Sequence, residues 1–187
     1  MTAATMENRA SDQCQVLNLP ITNGLISLRA LSPQRLRFEL EYALERGSTA
    51  NSFLFDAGVD SHGTEQPAVL VHPPGGAYAD VFLPALAEAL PEDCDTLQVV
   101  VGHVNPNRVA LLRALADTYA QLTLICSNPG AKLLQELWQQ RKPLSPGEPD
   151  NRPPLPSLPT LQVVRQEQRI PLSHGHSLQL LPAPTPR

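Results

Sequence analysis

"VVVGHVNPNRVALLRAL", residues 99 to 115, sets the reading of the whole chain. An unbroken apolar run ends in a Gly-His pair, and an amphipathic period follows it. That order predicts a buried strand, a loop and a helix. His103, Asn105, Asn107 and Arg108 fall where the strand end meets the loop. Side chains at such a junction often converge on a metal ion. Here, however, an amide offers only a neutral carbonyl oxygen, and a guanidinium only donates. The stretch therefore poses a choice between a metal loop and a metal loop whose ligands have been replaced.

Outward from it, the period keeps changing. "TLQVVV" reads as a buried strand, "NPNRVALLRALADTYA" as a helix and "QLTLICS" as a second strand. "NPGAKLLQELWQQ" reads as a helix capped by Asn128, with Pro129 in its first turn. On the amino-terminal side, "RLRFELEY" alternates, with Leu36, Phe38, Leu40 and Tyr42 opposite Arg35, Arg37, Glu39 and Glu41. This predicts one half-buried antiparallel strand, with "NGLISLRAL" as its hairpin partner. "NSFLFDAG" and "PAVLVHPP" add strands around a turn-rich "GVDSHGTEQ". From Ala77 to Leu90 a helix is expected, with Val81, Ala85, Leu86 and Leu90 sharing a face. "TLQVVRQ" and "HSLQLLPA" close the chain as strands. An antiparallel half followed by strand–helix alternation predicts an α/β layered fold with helices outside a sheet.

The chain has 187 residues, a net charge of −4, 42% hydrophobic and 17% charged residues. That suits one globular core. No basic block points to nucleic acid, no apolar run is long enough to span a bilayer, and no secretory signal opens the chain. Three scattered cysteines read as reduced thiols, so the expected location is cytoplasmic. Residues 1 to 14 are expected to be a flexible terminus and 15 to 187 the domain. Twenty prolines are unevenly spread, and the stretch 141 to 160 is read as an extended Pro-rich surface loop. "PPLPSLP" within it has the spacing that docks on aromatic grooves. The chain ends at "LLPAPTPR" just after a strand, so the expectation is a domain cut short, with Val163, Leu178, Leu180 and Leu181 near an uncovered face.

A two-metal loop after a strand needs imidazoles and carboxylates at alternating positions, because carboxylates neutralise and bridge the cations. The pattern His-x-Glu-x-Asp-His supplies four ligands. In this chain the same positions read His103, Asn105, Asn107 and Arg108, which leaves one. With no carboxylate close by, His103 reads as a polar loop residue before it reads as a ligand.

"GSTANSFLF", "GHVNPNR", "ICSNPGAK" and the final "TPR" resemble flavodiiron proteins of photosynthetic bacteria, in their multidomain diflavin form. The resemblance runs from about Val16 onward and covers only the first part of the family's first domain. It implies a metallo-β-lactamase-like αββα sandwich, here its first part only. In the intact family that domain is followed by an FMN domain and a flavin reductase domain. The resemblance implies diiron and FMN in the intact protein, electrons passing from NAD(P)H through FMN to oxygen to give water, and a homo- or hetero-oligomer. It also places Arg187 where a ligand histidine commonly stands. No cofactor is expected in this chain alone, and the chain is read either as coming from a subunit paired with an iron-competent partner or as an inactive fragment.

Two alternatives come from other classes. A metal-dependent hydrolase of the same fold would need a ligand cluster that the loop lacks. A non-catalytic interaction module would use the Pro-rich loop and the sheet face. His72 reads as structural, His174 and His176 as a solvated turn, and "PPGGAY" as an anion cradle without its lysine.

Overall fold

The computed structural model describes residues 14–33, 37–38, 42–43, 47–141 and 151–181. The amino-terminal stretch up to residue 13, part of the Pro-rich loop and Arg187 lie outside them. Strands β1 (Gln15–Thr22) and β2 (Leu25–Ser32) form a hairpin, followed by the short β3 (Arg37–Phe38) and β4 (Tyr42–Ala43). Next come β5 (Ser48–Phe55), the short pair β6 (Gly58–Val59) and β7 (Glu65–Gln66), and β8 (Ala68–Val71). A 3-10 turn leads into helix α1 (Ala79–Ala89), then β9 (Thr96–Val100), α2 (Pro106–Thr118), β10 (Gln121–Ser127) and α3 (Asn128–Trp138). After the Pro-rich segment, β11 (Thr160–Val164), β12 (Gln168–Pro171) and β13 (Ser177–Leu180) complete the described chain.

Seven strands form one sheet in the order β1-β2-β5-β8-β9-β10-β11. The first four pair antiparallel and the last four parallel, so β8 is the strand where the sheet changes character. Each parallel connection after β8 carries one helix, as a parallel crossover requires. All three helices pack on one face. There Leu54, Leu70, Leu97, Val99 and Leu124 meet Phe82 and Leu86 of α1, Leu111, Leu112 and Leu115 of α2, and Leu134 and Trp138 of α3. Each of these side chains is fully buried. Alternate residues of the same strands, Val69, Ile125 and Val164, point to the other face. Ile170 and Leu172, with Leu178 and Leu180, cover them from the β12–β13 hairpin. The layers are thus helices, a sheet and a second, two-stranded β layer.

The strand–helix order from 96 to 138 agrees with the sequence reading, and several details differ. The "RLRFELEY" stretch is not one strand, because Phe38 pairs with Tyr42 and Arg37 with Ala43, so the chain reverses between them. Residues 39 to 41 lie outside the described residues. Alternation survives in both arms of a hairpin, so it does not exclude a turn. "NGLISLRAL" pairs with β1 and β5 rather than with that stretch. On α1 the fully buried side chains are Phe82 and the expected Leu86, while Val81 and Ala85 are only partly buried. The cap of α3 is Ser127, whose hydroxyl accepts from the Gly130 amide at 3.2 Å, and Asn128 is already helical. Val163 packs on the helix face, whereas Leu181 is 65% exposed. Among the described residues, no helix is long and apolar enough to cross a membrane.

The second layer is tied down by polar contacts. His174 takes a left-handed φ of 56° and lies against the β1–β2 turn. Its ring stands so close that a Cβ on Gly24, itself at φ +70°, would come within 2.1 Å of it. The Asn23 amide meets His174 Nδ1 at 3.3 Å, and His176 Nε2 donates to the Asn23 carbonyl at 2.7 Å. Ser173 donates to the Asp56 carbonyl. His174 is exposed in a 3-10 turn, and the two histidines make that turn a docking knot on the β1–β2 turn. Gly24→Ala should free this hairpin while sparing the parallel core. Hydrogen exchange should speed up across Ile170–Leu180 and stay slow in β9 and β10; equal loss in both would contradict the knot.

Candidate functional site

The parallel strands β8 and β9 end side by side, with Val71 level with Val100. Ligand sites in sheets of this kind gather beyond the carboxyl ends of the strands. At the end of β8 the chain turns through His72 at φ 58°, a left-handed conformation that costs an imidazole-bearing residue about 1 kcal/mol or more. Two bonds hold the turn: the His72 amide donates to the Val100 carbonyl at 3.0 Å, and Ser52 Oγ donates to the His72 carbonyl at 2.9 Å. At the end of β9 the Val101 amide donates to the Ile125 carbonyl at 2.8 Å, and the chain then leaves the sheet through Gly102 and His103.

Asn105 caps α2. Its side-chain oxygen accepts from the Arg108 amide at 2.8 Å, and Pro106 begins the helix without losing a needed donor. Val104, 8% exposed, anchors the loop in the core. Asn107 is directed at the loop after β8: a Cβ on Gly75 would lie 2.3 Å from its amide nitrogen. A Cβ on Gly76 would lie 2.9 Å from the Asn107 carbonyl oxygen. The "PPGG" turn is therefore the seat of the first turn of α2, with Asn107 packed against Gly75 and Gly76.

Arg108 reaches back across the strand ends. Its Nη1 donates to the His103 carbonyl at 2.8 Å, and its Nη2 stands 3.5 Å from His72 Nε2, at the outer limit of a hydrogen bond. Its Nε is buried with no partner among the described residues. Burial, then the Arg108 charge, then His103 hold the His72 imidazole below its ordinary value of 6.5. Burial also pulls the Arg108 guanidinium below its ordinary value, and it stays a cation.

The structure thus brings together His72, His103, Asn105 and Arg108, and directs Asn107 to the neighbouring glycines. It places His174 and His176 in the docking knot, away from these residues. Arg187 lies outside the described residues. The sequence reads His72 as structural, and its main chain does hold the turn after β8; its approach to Arg108 has no local motif. The usable signal was the parallel pairing of its strand with the one that ends in Gly102-His103. Among the described residues, no group of three His, Cys, Asp or Glu side chains comes together as a metal site. Two imidazoles, amides and a fixed cation do not fit a pair of iron ions, which need anionic ligands. A larger cavity, about 690 Å³, lies at the amino ends of β9 and β10, beside Tyr119, Gln121 and Thr160. It is at the opposite edge of the sheet from His103 and has no acidic or basic side chain in its lining.

No family model matches the chain. Individual relatives do. A protein named diflavin flavoprotein A 6 from Nostoc sp. is 38% identical over 169 residues, which is 90% of this chain and 25% of that one. Diflavin flavoprotein A 3 from Synechocystis sp. is 36% identical over 169 residues, 90% of this chain and 24% of that one. The crystal structure of fragment 1–254 of diflavin flavoprotein A 5 from Nostoc sp. superposes with a TM-score of 0.71 at 31% identity, covering 93% of this chain and 59% of that chain. A metal-soaked flavodiiron core from Synechocystis sp. gives 0.70 at 31% identity, over 89% of this chain and 36% of that one.

Over most of its own length the chain is similar to the first part of flavodiiron proteins.

Its fold is the metallo-β-lactamase-like α/β arrangement of those flavodiiron structures, in part. The chain spans about a quarter of the length of the curated relatives it matches.

His72 gives this domain a pH dependence of definite sign. Its folded-state affinity for a proton is depressed, so the unfolded chain protonates first as pH falls. The stability it contributes is complete above the ordinary imidazole range and is lost as pH drops below 6.5. Urea midpoints should therefore rise between about pH 5 and pH 7.5. His72→Asn tolerates the left-handed backbone and does not titrate, and should flatten that rise. Parallel curves for the two proteins would rule His72 out as the cause.

Proposed function

We propose that this domain belongs to an oxidoreductase in which electrons pass from NAD(P)H through FMN to oxygen, forming water. We further propose that the metal pocket of this domain is substituted, so that this chain alone does not assemble a diiron centre. The names of the relatives support the first part: they are diflavin flavoproteins, and the structural neighbour is a flavodiiron core. One observation carries the second. The Arg108 guanidinium lies across the strand ends between the His103 carbonyl and His72 Nε2, where a metal ion would need open coordination positions.

In this reading Asn105, Asn107 and Arg108 stand at former ligand positions, Arg187 at another, and His103 is the remaining one. Each has an alternative employment. Asn105 caps α2, Asn107 packs on Gly75, and Arg108 joins the loop to the end of β8. The substituted loop is thereby self-consistent without an ion. The chemistry of oxygen reduction would then fall to an iron-competent partner subunit, with this chain contributing the scaffold that holds its own flavin domain near it. The FMN and diiron of the intact protein, the oligomer and the electron donor all belong to this proposal.

Elemental analysis after incubation with ferrous iron or zinc tests the pocket. The chain should retain well under about one tightly bound ion, because the loop from 103 to 108 holds no carboxylate to offset the dications. The triple variant Asn105→Glu, Asn107→Asp, Arg108→His should gain weak uptake that dialysis against a chelator removes. Two retained irons in the unmodified chain would refute the substituted-pocket reading.

A further inference from the structure

The docking knot is built on an Asn-Gly pair. Asn23 and Gly24 are the two residues between Thr22 of β1 and Leu25 of β2, which pair with each other. Asn23 is exposed, and Gly24 is buried at φ +70°. An asparagine followed by glycine can lose its side-chain amide, because glycine has no Cβ to keep its backbone nitrogen from the neighbouring Cγ. Three contacts converge on this pair. His176 Nε2 donates to the Asn23 carbonyl at 2.7 Å, the Asn23 amide nitrogen meets His174 Nδ1 at 3.3 Å, and the Asp56 amide donates to the Gly24 carbonyl at 3.0 Å. The His174 ring also closes the space over Gly24.

These contacts hold both groups that would have to meet. For the Gly24 nitrogen to reach Asn23 Cγ, the peptide unit between the two residues must rotate and the Asn23 side chain must turn. The first motion breaks the His176 bond, and the second breaks the His174 contact. Both histidines lie in the turn that joins β12 to β13. The fate of the amide is thus tied to the seating of that hairpin.

We propose that Asn23 is a deamidation site gated by the β12–β13 hairpin. Docked, the hairpin protects it; released, the hairpin lets it react, and the product keeps the hairpin from seating again. The Gly24 nitrogen bonds to Asn23 Cγ, the Cγ–Nδ2 bond breaks, and the nitrogen leaves as ammonia, taking up a proton to replace the one lost by the Gly24 amide. Water then opens the cyclic imide. Addition at Cγ leaves aspartate; addition at the Asn23 main-chain carbonyl carbon leaves isoaspartate, with the backbone routed through the side chain. Water is the only co-reactant. Isoaspartate adds a methylene to the backbone of a two-residue turn, so the carbonyls of residues 23 and 24 no longer reach both partners. Aspartate puts an acceptor oxygen where the amide nitrogen meets His174. A released hairpin uncovers Val69, Ile125 and Val164.

The test ages the full chain at neutral pH and physiological temperature. Conversion of residue 23 is followed by peptide mapping and an isoaspartate assay. Asn23 in the folded chain should convert about tenfold more slowly than in a synthetic peptide of residues 19–28. Ser173→Ala removes the bond to the Asp56 carbonyl and leaves the Asn-Gly pair intact; His176→Ala removes the donor to the Asn23 carbonyl. Whichever variant shows a released hairpin by hydrogen exchange should convert about threefold faster or more, with β9 and β10 still protected. Converted chains should exchange rapidly across Ile170–Leu180. Conversion in the folded chain as fast as in the peptide would overturn the proposal. So would an unchanged rate in a variant whose hairpin is released, or slow exchange across the hairpin in converted chains.

Discussion

Val71 pairs with Val100, and Val100 with Ile125, in one parallel register, and the rest of the molecule follows from that alignment. Parallel neighbours end at the same edge, so the turns after β8, β9 and β10 open into a common space. The helices that make the crossovers must return on one face, and they do, which buries Leu70, Val99 and Leu124 beneath α1, α2 and α3. The opposite face of the same strands is left to the β12–β13 hairpin. A one-residue slip of β9 would exchange Val99 with Val100 and send both faces to the wrong layer. The same slip would carry His103 away from His72, so the register that builds the core also builds the site.

What occupies that common edge is decided by charge. A guanidinium about 4 Å from a dication, at an effective dielectric constant near 20, opposes it by roughly 8 kcal/mol before any ligand is counted. Carboxylates at the loop positions would offset such a term, and Asn105 and Asn107 do not. Arg108 instead satisfies oxygen and nitrogen acceptors that the strand ends present, and a planar fork suits that better than the single ammonium of lysine. The strained His72 backbone is consistent with this use. A histidine held by two main-chain bonds at φ 58° presents its ring to Arg108 in a fixed direction.

The parallel half was legible because its signals are local. "TLQVVV" and "QLTLICS" are apolar runs of strand length, and the helices between them begin at Pro-bearing caps. The antiparallel half was harder. β1 has no clean alternation and only partly buries Val16, and β12 is four residues long, so neither stands out as a period. "RLRFELEY" misled because alternation records which face a residue takes and not where the chain turns. At the site, the loop from His103 to Arg108 was legible as a ligand pattern with its ligands exchanged. His72 was not, because its role arises from pairing between strands about thirty residues apart and no motif encodes that. The change of cap from Asn128 to Ser127 is smaller still: both residue types cap well, and the backbone of Ser127 is the one that stays extended.

The two half-buried arginines of α2 show how far the helix has been committed to structure. Arg108 reaches the His103 carbonyl at its amino end, and Arg113 reaches the Leu137, Trp138 and Gln140 carbonyls at the end of α3. The last carbonyls of a helix are its negative pole, where a cation is favoured. Each arginine leaves Nε buried and spends its terminal nitrogens, so each has its guanidinium head at work on main-chain oxygen. A ligand or metal entering at either place would have to displace those bonds and leave the carbonyls unpaired. That cost is lower at Arg108, which holds one carbonyl and one distant imidazole, than at Arg113, which holds three carbonyls. The strand-end pocket is therefore the part of α2 where exchange of a few side chains can still alter what is bound, while the α3 contact is fixed by the helix it caps.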